Sequence, residues 1–240
     1  MTSLPLAIIT GAGRGIGRAV ACALSKNGYR VALIARDETE LEATAQECRN
    51  HHSDTPDAAV VFPLDVVDQA AVTSCVEKLL NDYGEVDLLF NNAGMFVEGT
   101  SDIDSKEFER MIDVNLKGCF YFLQAVIPSM KKRRSGYIFN LSSYVGVEAL
   151  PGIGAYSATK FALNALSQSL FKELVPLGIG VTAICPSWVN TVMAQSAPLA
   201  DEDKIQPEDI ADTVLYLLQL RRGAAIEKIV ISCRAAIEGT

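Results

Sequence analysis

Tyr156 and Lys160 stand four residues apart in the segment YSATK, and two hydroxyls, Ser142 and Ser143, precede them at the end of an apolar run. On a helix this spacing puts the phenol and the ammonium on one face, one turn apart. A free tyrosine, with a pKa of about 10, is a poor proton donor and a worse base at neutral pH. A nearby cation favours the phenolate and lowers that value. A drop of about 2 to 3 units corresponds to roughly 3 to 4 kcal/mol, which requires a close, poorly screened charge. Lys160 is placed to supply it, and a serine at a strand end can hydrogen-bond a carbonyl oxygen. The group therefore reads as a proton-transfer site for carbonyl and alcohol chemistry. Taken singly each part has a plainer use: Tyr-x-x-x-Lys pairs are common on helices, and Ser142 and Ser143 serve equally as caps for backbone groups.

Such a site needs a strand, a loop and a helix, and Tyr137 to Lys160 supplies them in order. Tyr137 to Leu141 is aromatic and branched, as a buried parallel strand prefers. The loop is punctuated by Gly146, Pro151, Gly152 and Gly154, and the pattern predicts a helix from Tyr156 to about Leu174. Upstream, strands are predicted at Leu4–Thr10, Arg30–Ala35, Ala58–Leu64 and Val86–Asn91. Helices alternate with them: one through Lys26, one from Glu38 to about His51, and one over Gln69–Tyr83, with Ser53–Asp57 read as loop. A long helix is predicted from Ser105 past Asn115 to about Lys131; its Ser-x-x-Phe start lacks a capping-box acid. Then come a strand at Ile179–Cys185, a long loop at Pro186–Gln206, a helix at Pro207–Leu220, a strand at Glu227–Ser232 and a polar tail. Long loops in compact domains are often lids. End-to-end alternation of strand and helix predicts an α/β fold: a doubly wound, Rossmann-type parallel sheet of about seven strands with helices on both faces, in a single domain over residues 1–240.

Composition sets the class. The 240 residues are 49% apolar, enough for a sizeable core, and the net charge of −8 argues against nucleic acid or anionic membrane as a partner. The basic run Lys131–Arg134 falls at the end of the long helix, where cations complement the helix dipole. Six scattered cysteines without C-x-x-C read mostly as packing residues of a cytoplasmic protein. The adjacent His51 and His52 lack companions at ligand spacing, so no metal site is expected. No apolar run approaches the ~20 residues of a membrane span, and no signal peptide is read.

Gly11, Gly13, Gly15 and Gly17 fall between the first strand and the first helix. Glycines there let the backbone approach a pyrophosphate, which the free N–H groups of the helix start stabilise. Ile16 and Arg18 occupy the third-glycine positions of G-x-G-x-x-G, so the spacing is T-G-x-x-x-G-x-G instead.

The chain resembles the short-chain dehydrogenase/reductase family over nearly its whole length. The matching elements are TGAGRGIG (Thr10 to Gly17), LDV (Leu64 to Val66), NNAG (Asn91 to Gly94), Asn115 in DVNLKG, Ser143 and YSATK. The resemblance implies an NADP(H)- or NAD(H)-dependent oxidoreductase with a catalytic tetrad of Asn115, Ser143, Tyr156 and Lys160. Tyr156 would be the acid/base. Lys160 would hold the nicotinamide ribose and lower the tyrosine pKa, Ser143 would polarise the substrate carbonyl, and Asn115 would support a water-linked proton path. Ser143 is preferred to Ser142 because its distance of 13 residues from Tyr156 is common in the family. Gly11, Gly13, Arg14, Gly15, Ile16 and Gly17 would cradle the cofactor, with Asp65 and Val66 near adenine and Asn91, Ala93 and Gly94 lining it. Pro186, Val189 and Thr191 would contact the nicotinamide side.

Charge decides between the nicotinamides. An acid at the end of the second strand binds the ribose 2′-hydroxyl and repels a 2′-phosphate. Asp37 tempts toward NAD, but the family's acid position falls on Ala35, and Arg36 and Arg14 flank it. Two guanidiniums suit a phosphate, so NADP(H) is expected over NAD(H).

Two departures stand out. Pro186-Ser187 replaces the family's Pro-Gly, with Ser187 expected to add bulk where substrate and nicotinamide meet, and SCRAAIEGT replaces a glycine-rich ending. The substrate-pocket candidates Met95, Phe96, Tyr144, Val145, Leu150 and Trp188 are mostly apolar. They favour a small carbonyl compound or its alcohol as substrate. The alternatives are a 3-oxoacyl-[acyl-carrier-protein] reductase, a 3-hydroxy acid or sugar alcohol dehydrogenase and, outside enzymes, an NADP(H)-binding regulator. A homodimer through the Asn115 and Tyr156 helices, or a homotetramer, follows from the resemblance alone.

Overall fold

A computed structural model describes residues 4–52, 55, 57–221 and 223–238. The loop expectation at Ser53–Asp57 and the end of the polar tail fall partly outside the described residues. Seven parallel strands form one sheet: β1 (Leu6–Thr10), β2 (Arg30–Ala35), β3 (Ala59–Pro63), β4 (Val86–Asn91), β5 (Gly136–Leu141), β6 (Ile179–Pro186) and β7 (Lys228–Ile231). Their order is β3-β2-β1-β4-β5-β6-β7. β1 thus lies between β2 and β4, and the chain winds outward from it in both directions.

Side chains alternate between the two faces of each strand, and β1 shows the consequence. Ala7 and Ile9 join one apolar layer with Val31, Leu33, Phe90 and Phe139. Leu6 and Ile8 join the other with Ala32, Ile34, Leu89 and Ile138. The first layer is closed by helices α1 (Gly15–Lys26), α2 (Glu38–Arg49) and α7 (Pro207–Leu218) through Val20, Leu24, Leu41, Ala45, Ile210 and Val214. The second is closed by α3 (Gln69–Tyr83), α5 (Cys119–Arg133) and α6 (Gly154–Leu174) through Val76, Leu79, Phe122, Val126 and Leu163. This is the doubly wound α/β sheet that the sequence predicts.

The long helix is less regular than its pattern implies. It begins as α4 (Ser105–Ile112), passes through a π-helical turn at Asp113–Gly118 and continues as α5, with Pro128 inside. Asp104, not Ser105, is the cap, accepting from the Lys106 N–H at 2.8 Å. π turns are rare in helices and recur at functional sites; this one contains Asn115. At its far end Arg133 bridges Glu85 and Asp87 at 2.9 and 2.8 Å, so one cation of the basic run fastens α5 to the start of β4. The tail, read from the sequence as polar and without structure of its own, forms a short helix, α8 (Arg234–Glu238). The 187–206 segment folds back on itself: Val189 bridges Ile205, and the Asn190 N–H donates to the Ile205 carbonyl at 2.8 Å. Among the described residues no helix is long and apolar enough to cross a membrane.

Candidate active site

The carboxyl ends of β1, β4, β5 and β6 share one edge of the sheet, and the winding reverses between β1 and β4. In open α/β sheets the crevice beyond that reversal is where ligands bind. The glycine loop enters it directly from β1. Gly11 and Gly15 have φ of +64° and +53°, which a side chain would strain. At Gly17 a Cβ would sit 2.2 Å from the Gly11 carbonyl oxygen, and at Gly11 it would sit 2.6 Å from Asn92 Nδ2.

Asn92, unremarked in the sequence, is the reason the two loops pack so closely. Its amide donates to the Thr10 and Gly11 carbonyls at 2.8 and 3.1 Å. Thr10 Oγ1 accepts from the N–H groups of Asn92 and Ala93 at 2.9 and 3.0 Å. The signal was there in adjacency: a short amide side chain after a strand is suited to bonding local backbone.

Helix α1 starts from this loop with no side-chain cap and no acid in its first turn among the described residues. By contrast α2, α3 and α4 start under Asp37, Asp68 and Asp104. A helix end left uncapped beside a glycine cradle is suited to a phosphate group. Thr191 closes the cradle, since a Cβ on Gly15 would lie 3.1 Å from its methyl. Ile16 turns away to pack on the first apolar layer.

At the β2 side, Arg14 pairs with Glu40 at 3.4 Å and Arg36 with Asp65 at 4.0 Å, and both guanidiniums are about two-thirds exposed, at 65% and 66%. Glu40, missed in the sequence, also underlies the loop: a Cβ on Gly13 would meet its Cβ at 2.8 Å. Asp37 caps α2, accepting from the Glu40 N–H at 3.0 Å. Val66 is buried against Gly118 in the π turn.

The two serines separate cleanly. Ser142 is buried and donates to the Lys160 carbonyl at 3.2 Å, fastening β5 to α6. Ser143 is half-buried at the mouth of the crevice, where its hydroxyl lies 3.5 Å from the Pro186 carbonyl and faces the Tyr156 phenol. Burial pushes the Tyr156 phenol above the ordinary tyrosine range, and the hydrogen bond with Ser143 opposes that rise. Lys160 is 4% exposed, with Nζ donating to the Leu141 carbonyl at 3.0 Å and lying 5.6 Å from the centre of the Tyr156 ring. Burial lowers its ammonium to about 8. The depression of the tyrosine pKa expected from Lys160 is not found here: removal of the phenol from water raises it, and the cation's short bond goes to Leu141.

Asn115 is buried in the π turn and spans two elements. Its Oδ1 accepts from the Met95 N–H at 2.8 Å, and its Nδ2 donates to the Met95 carbonyl at 2.9 Å and to Thr159 Oγ1 at 3.1 Å. A Cβ on Gly94 would lie a tight 3.3 Å from Asn115 Oδ1 and at ordinary contact, 3.8 Å, from Lys160 Nζ, so both groups converge on this glycine.

Several expected contacts are placed otherwise. The Asn91 side chain points into the sheet and donates to Asn140 Oδ1 at 2.9 Å, instead of lining the crevice. Ser187 adds no bulk there, because its Oγ accepts from the Cys233 N–H at 2.7 Å at the end of β7. Trp188 packs on the first apolar layer and Val189 is buried in it. Val145 is buried too, and Tyr144 donates to Glu148 at 2.5 Å. Met95 stays half-buried, and Phe96 meets Tyr156 edge-on at 5.2 Å.

The chain is similar to known proteins over most of its length. A family model described as short chain dehydrogenase matches residues 5–202. An uncharacterized oxidoreductase of Staphylococcus saprophyticus is 36% identical over 215 residues, covering 89% of this chain and 91% of the relative. The solved structure of a β-ketoacyl-[ACP] reductase from Bacteroides thetaiotaomicron is 38% identical with a TM-score of 0.86, covering 98% of this chain and 99% of that one. An alcohol dehydrogenase from the archaeon Thermococcus sibiricus, complexed with 5-hydroxy-NADP, is 30% identical with a TM-score of 0.86, covering 96% and 97%. The chain, with its glycine cradle, its Tyr156–Lys160 pair and its seven-stranded sheet, belongs to the short-chain dehydrogenase family of oxidoreductases.

Proposed function

We propose that the protein reduces a small ketone or aldehyde to its alcohol, or runs the reverse reaction, with NADP(H) as cofactor. One observation carries this reading: at the open end of the sheet, Tyr156 and Ser143 face each other beside an uncapped helix start and its glycine cradle. Bound NADPH would supply the hydride. Ser143 Oγ donates to the substrate oxygen and holds the carbonyl against the phenol. Tyr156, protonated at neutral pH as an ordinary tyrosine is, gives its proton to that oxygen as negative charge develops on it. Lys160, with one N–H on Leu141, has two more to offer, for the nicotinamide ribose and for returning a proton toward Tyr156. Asn115 holds the Gly94–Met95 turn beside that lysine.

The glycines of residues 11–17 and the start of α1 would hold the pyrophosphate, with Ala93 and Gly94 along the cofactor and Pro186 and Thr191 at its nicotinamide end. Arg14 and Arg36 would take the 2′-phosphate, since both are exposed and held only by surface ion pairs. The whole chain works as one catalytic unit. Phe120 on α5 and Phe161 on α6, 45% and 43% exposed, support a homodimer through those helices.

A second reading, a 3-oxoacyl-[acyl-carrier-protein] reductase, is favoured by the 38% identity to the Bacteroides reductase. Oxidation of NADPH and of NADH should be followed against simple ketones, diketones, aldehydes and a 3-oxoacyl thioester. Turnover of the simple carbonyls with NADPH supports the first reading; turnover confined to the thioester supports the second. NADPH binding with no turnover on any of them would return the protein to the cofactor-binding regulators.

A further inference from the structure

Away from the crevice, α1 and α2 bring together two thiols that lie 26 residues apart in sequence: Cys22 Sγ and Cys48 Sγ are 3.9 Å from each other. Cys22 is the one cysteine of six that is not buried. It lines an open cavity of about 630 Å³ between α1, the end of α2 and the start of α7, walled also by Arg18, Lys26, Glu47 and His51. A soluble oxidant entering that cavity meets Cys22 with Cys48 directly behind it.

The neighbours give the two sulfurs different roles. The Cys48 S–H points at Cys22 Sγ, so Cys22 is the acceptor and the better placed to carry negative charge. That hydrogen bond lowers the Cys22 pKa and raises that of Cys48. Cys22 in turn donates its S–H to Glu47 Oε2 at 3.4 Å, which by itself raises its pKa, while Arg18 holds that carboxylate with two N–H groups and brings a guanidinium beside the thiol, which lowers it. The two helices are tied at the same level. Ser25 Oγ donates to the Cys48 carbonyl at 2.9 Å, and the His52 ring bonds the Ser25 carbonyl at 2.7 Å. To bond, the sulfurs need to approach by roughly 2 Å, given a disulfide length of about 2.0 Å.

We propose that Cys22 and Cys48 form a hydroperoxide-reactive dithiol whose oxidation clamps α1 to α2 through an intramolecular disulfide. The Cys22 thiolate attacks one oxygen of the peroxide, the O–O bond breaks, and the leaving alkoxide takes a proton to become an alcohol. Cys22 is then a sulfenic acid, oxidised by two electrons while the peroxide is reduced by two. Cys48 sulfur next attacks Cys22 sulfur, the S–O bond breaks, and the departing hydroxide leaves as water with the Cys48 proton. In sum, two thiols and one hydroperoxide give a disulfide, an alcohol and water. The four other thiols, buried without a sulfur partner at this distance, stay reduced.

The test is a titration of the full-length protein with hydrogen peroxide and with tert-butyl hydroperoxide, followed by alkylation of free thiols and tryptic mapping without reductant. Cleavage after Arg18, Lys26, Arg36 and Arg49 leaves Cys22 and Cys48 each alone in its own peptide. The expected result is loss of two of the six alkylatable thiols, one linked peptide pair joining Cys22 to Cys48, and recovery of all six with dithiothreitol. Cys48→Ala should stop at a dimedone-reactive Cys22. A wild-type map with all six thiols intact, with Cys22 over-oxidised and unlinked, or with Cys22 joined to a second molecule would overturn the proposal, and it needs no variant to fold.

Discussion

Lys160 and Leu141 are joined by a hydrogen bond from Nζ to the main-chain oxygen at 3.0 Å, which moors the site's buried cation to the end of β5. The mooring fixes the ammonium but does not fully replace its water, and burial lowers its pKa to about 8. Because the folded value lies below that of a solvated lysine, about 10.4, folding disfavours the charged form. Below about pH 8 both states are protonated and the penalty is complete. Between about pH 8 and 10 the unfolded chain holds a proton that the folded protein has released, so this lysine's contribution to stability rises with pH. Lys160→Met lacks the effect. The stability difference between wild type and the variant, read from urea midpoints, should therefore move toward wild type by about 1 kcal/mol or more from pH 7 to about pH 10. A difference that stays flat would mean that the ammonium is solvated.

Tyr156→Phe keeps the ring and its edge-on contact with Phe96 at 5.2 Å and removes only the hydroxyl. If the phenol is the proton donor, turnover should fall by at least ~10²-fold, the low end for acid–base catalysis. NADPH affinity, measured by fluorescence, should change by little. Turnover within a few-fold of wild type would remove Tyr156 from the role.

The adjacent serines make a paired experiment. Ser143→Ala deletes a hydroxyl that faces the phenol and whose backbone partner, the Val145 N–H, is engaged only at 3.3 Å. It should lower turnover by about 10²-fold or more while leaving the melting temperature nearly unchanged. Ser142→Ala deletes a buried bond to the Lys160 carbonyl and should cost stability, about 1 kcal/mol, with a smaller effect on rate. The opposite pattern in parallel melts and assays would reassign the catalytic hydroxyl to Ser142.

What was legible in the sequence is what repeats or has a fixed place. Runs of branched and aromatic residues located the strands, and the glycines and YSATK located the crevice. What was illegible depends on where a side chain turns after the backbone is set. Nothing in DVNLKG distinguishes a π turn from an α turn, because the apolar face shifts by a single residue. Asp37 has the right distance from the glycines to bind a ribose, yet its carboxylate caps α2. Ser187 takes the place of a family glycine, yet its hydroxyl bonds the end of β7, a strand more than 40 residues away in sequence. Trp188, the lone tryptophan, is partly buried and packs against the apolar layer, a contact its place in the loop did not announce.

Arg14 and Arg36 share one arrangement, each an exposed guanidinium resting on a carboxylate, Glu40 and Asp65. Exposed pairs of this kind contribute little, about 0 to 1 kcal/mol, so either arginine can leave its partner for a phosphate at small cost. Charge-assisted bonds to a 2′-phosphate are stronger than that. Arg36→Ala should weaken NADPH binding about 10-fold or more and NADH binding by less than about twofold. Glu40→Gln acts in the opposite sense: it removes a negative charge beside Arg14 and should tighten NADPH a few-fold, again with little change for NADH. Both effects should shrink at high salt, since the groups are exposed and screened. Titration of each variant with both cofactors decides the matter. Equal losses for NADPH and NADH in Arg36→Ala would place that side chain away from the 2′ position and leave the cofactor preference without a structural basis.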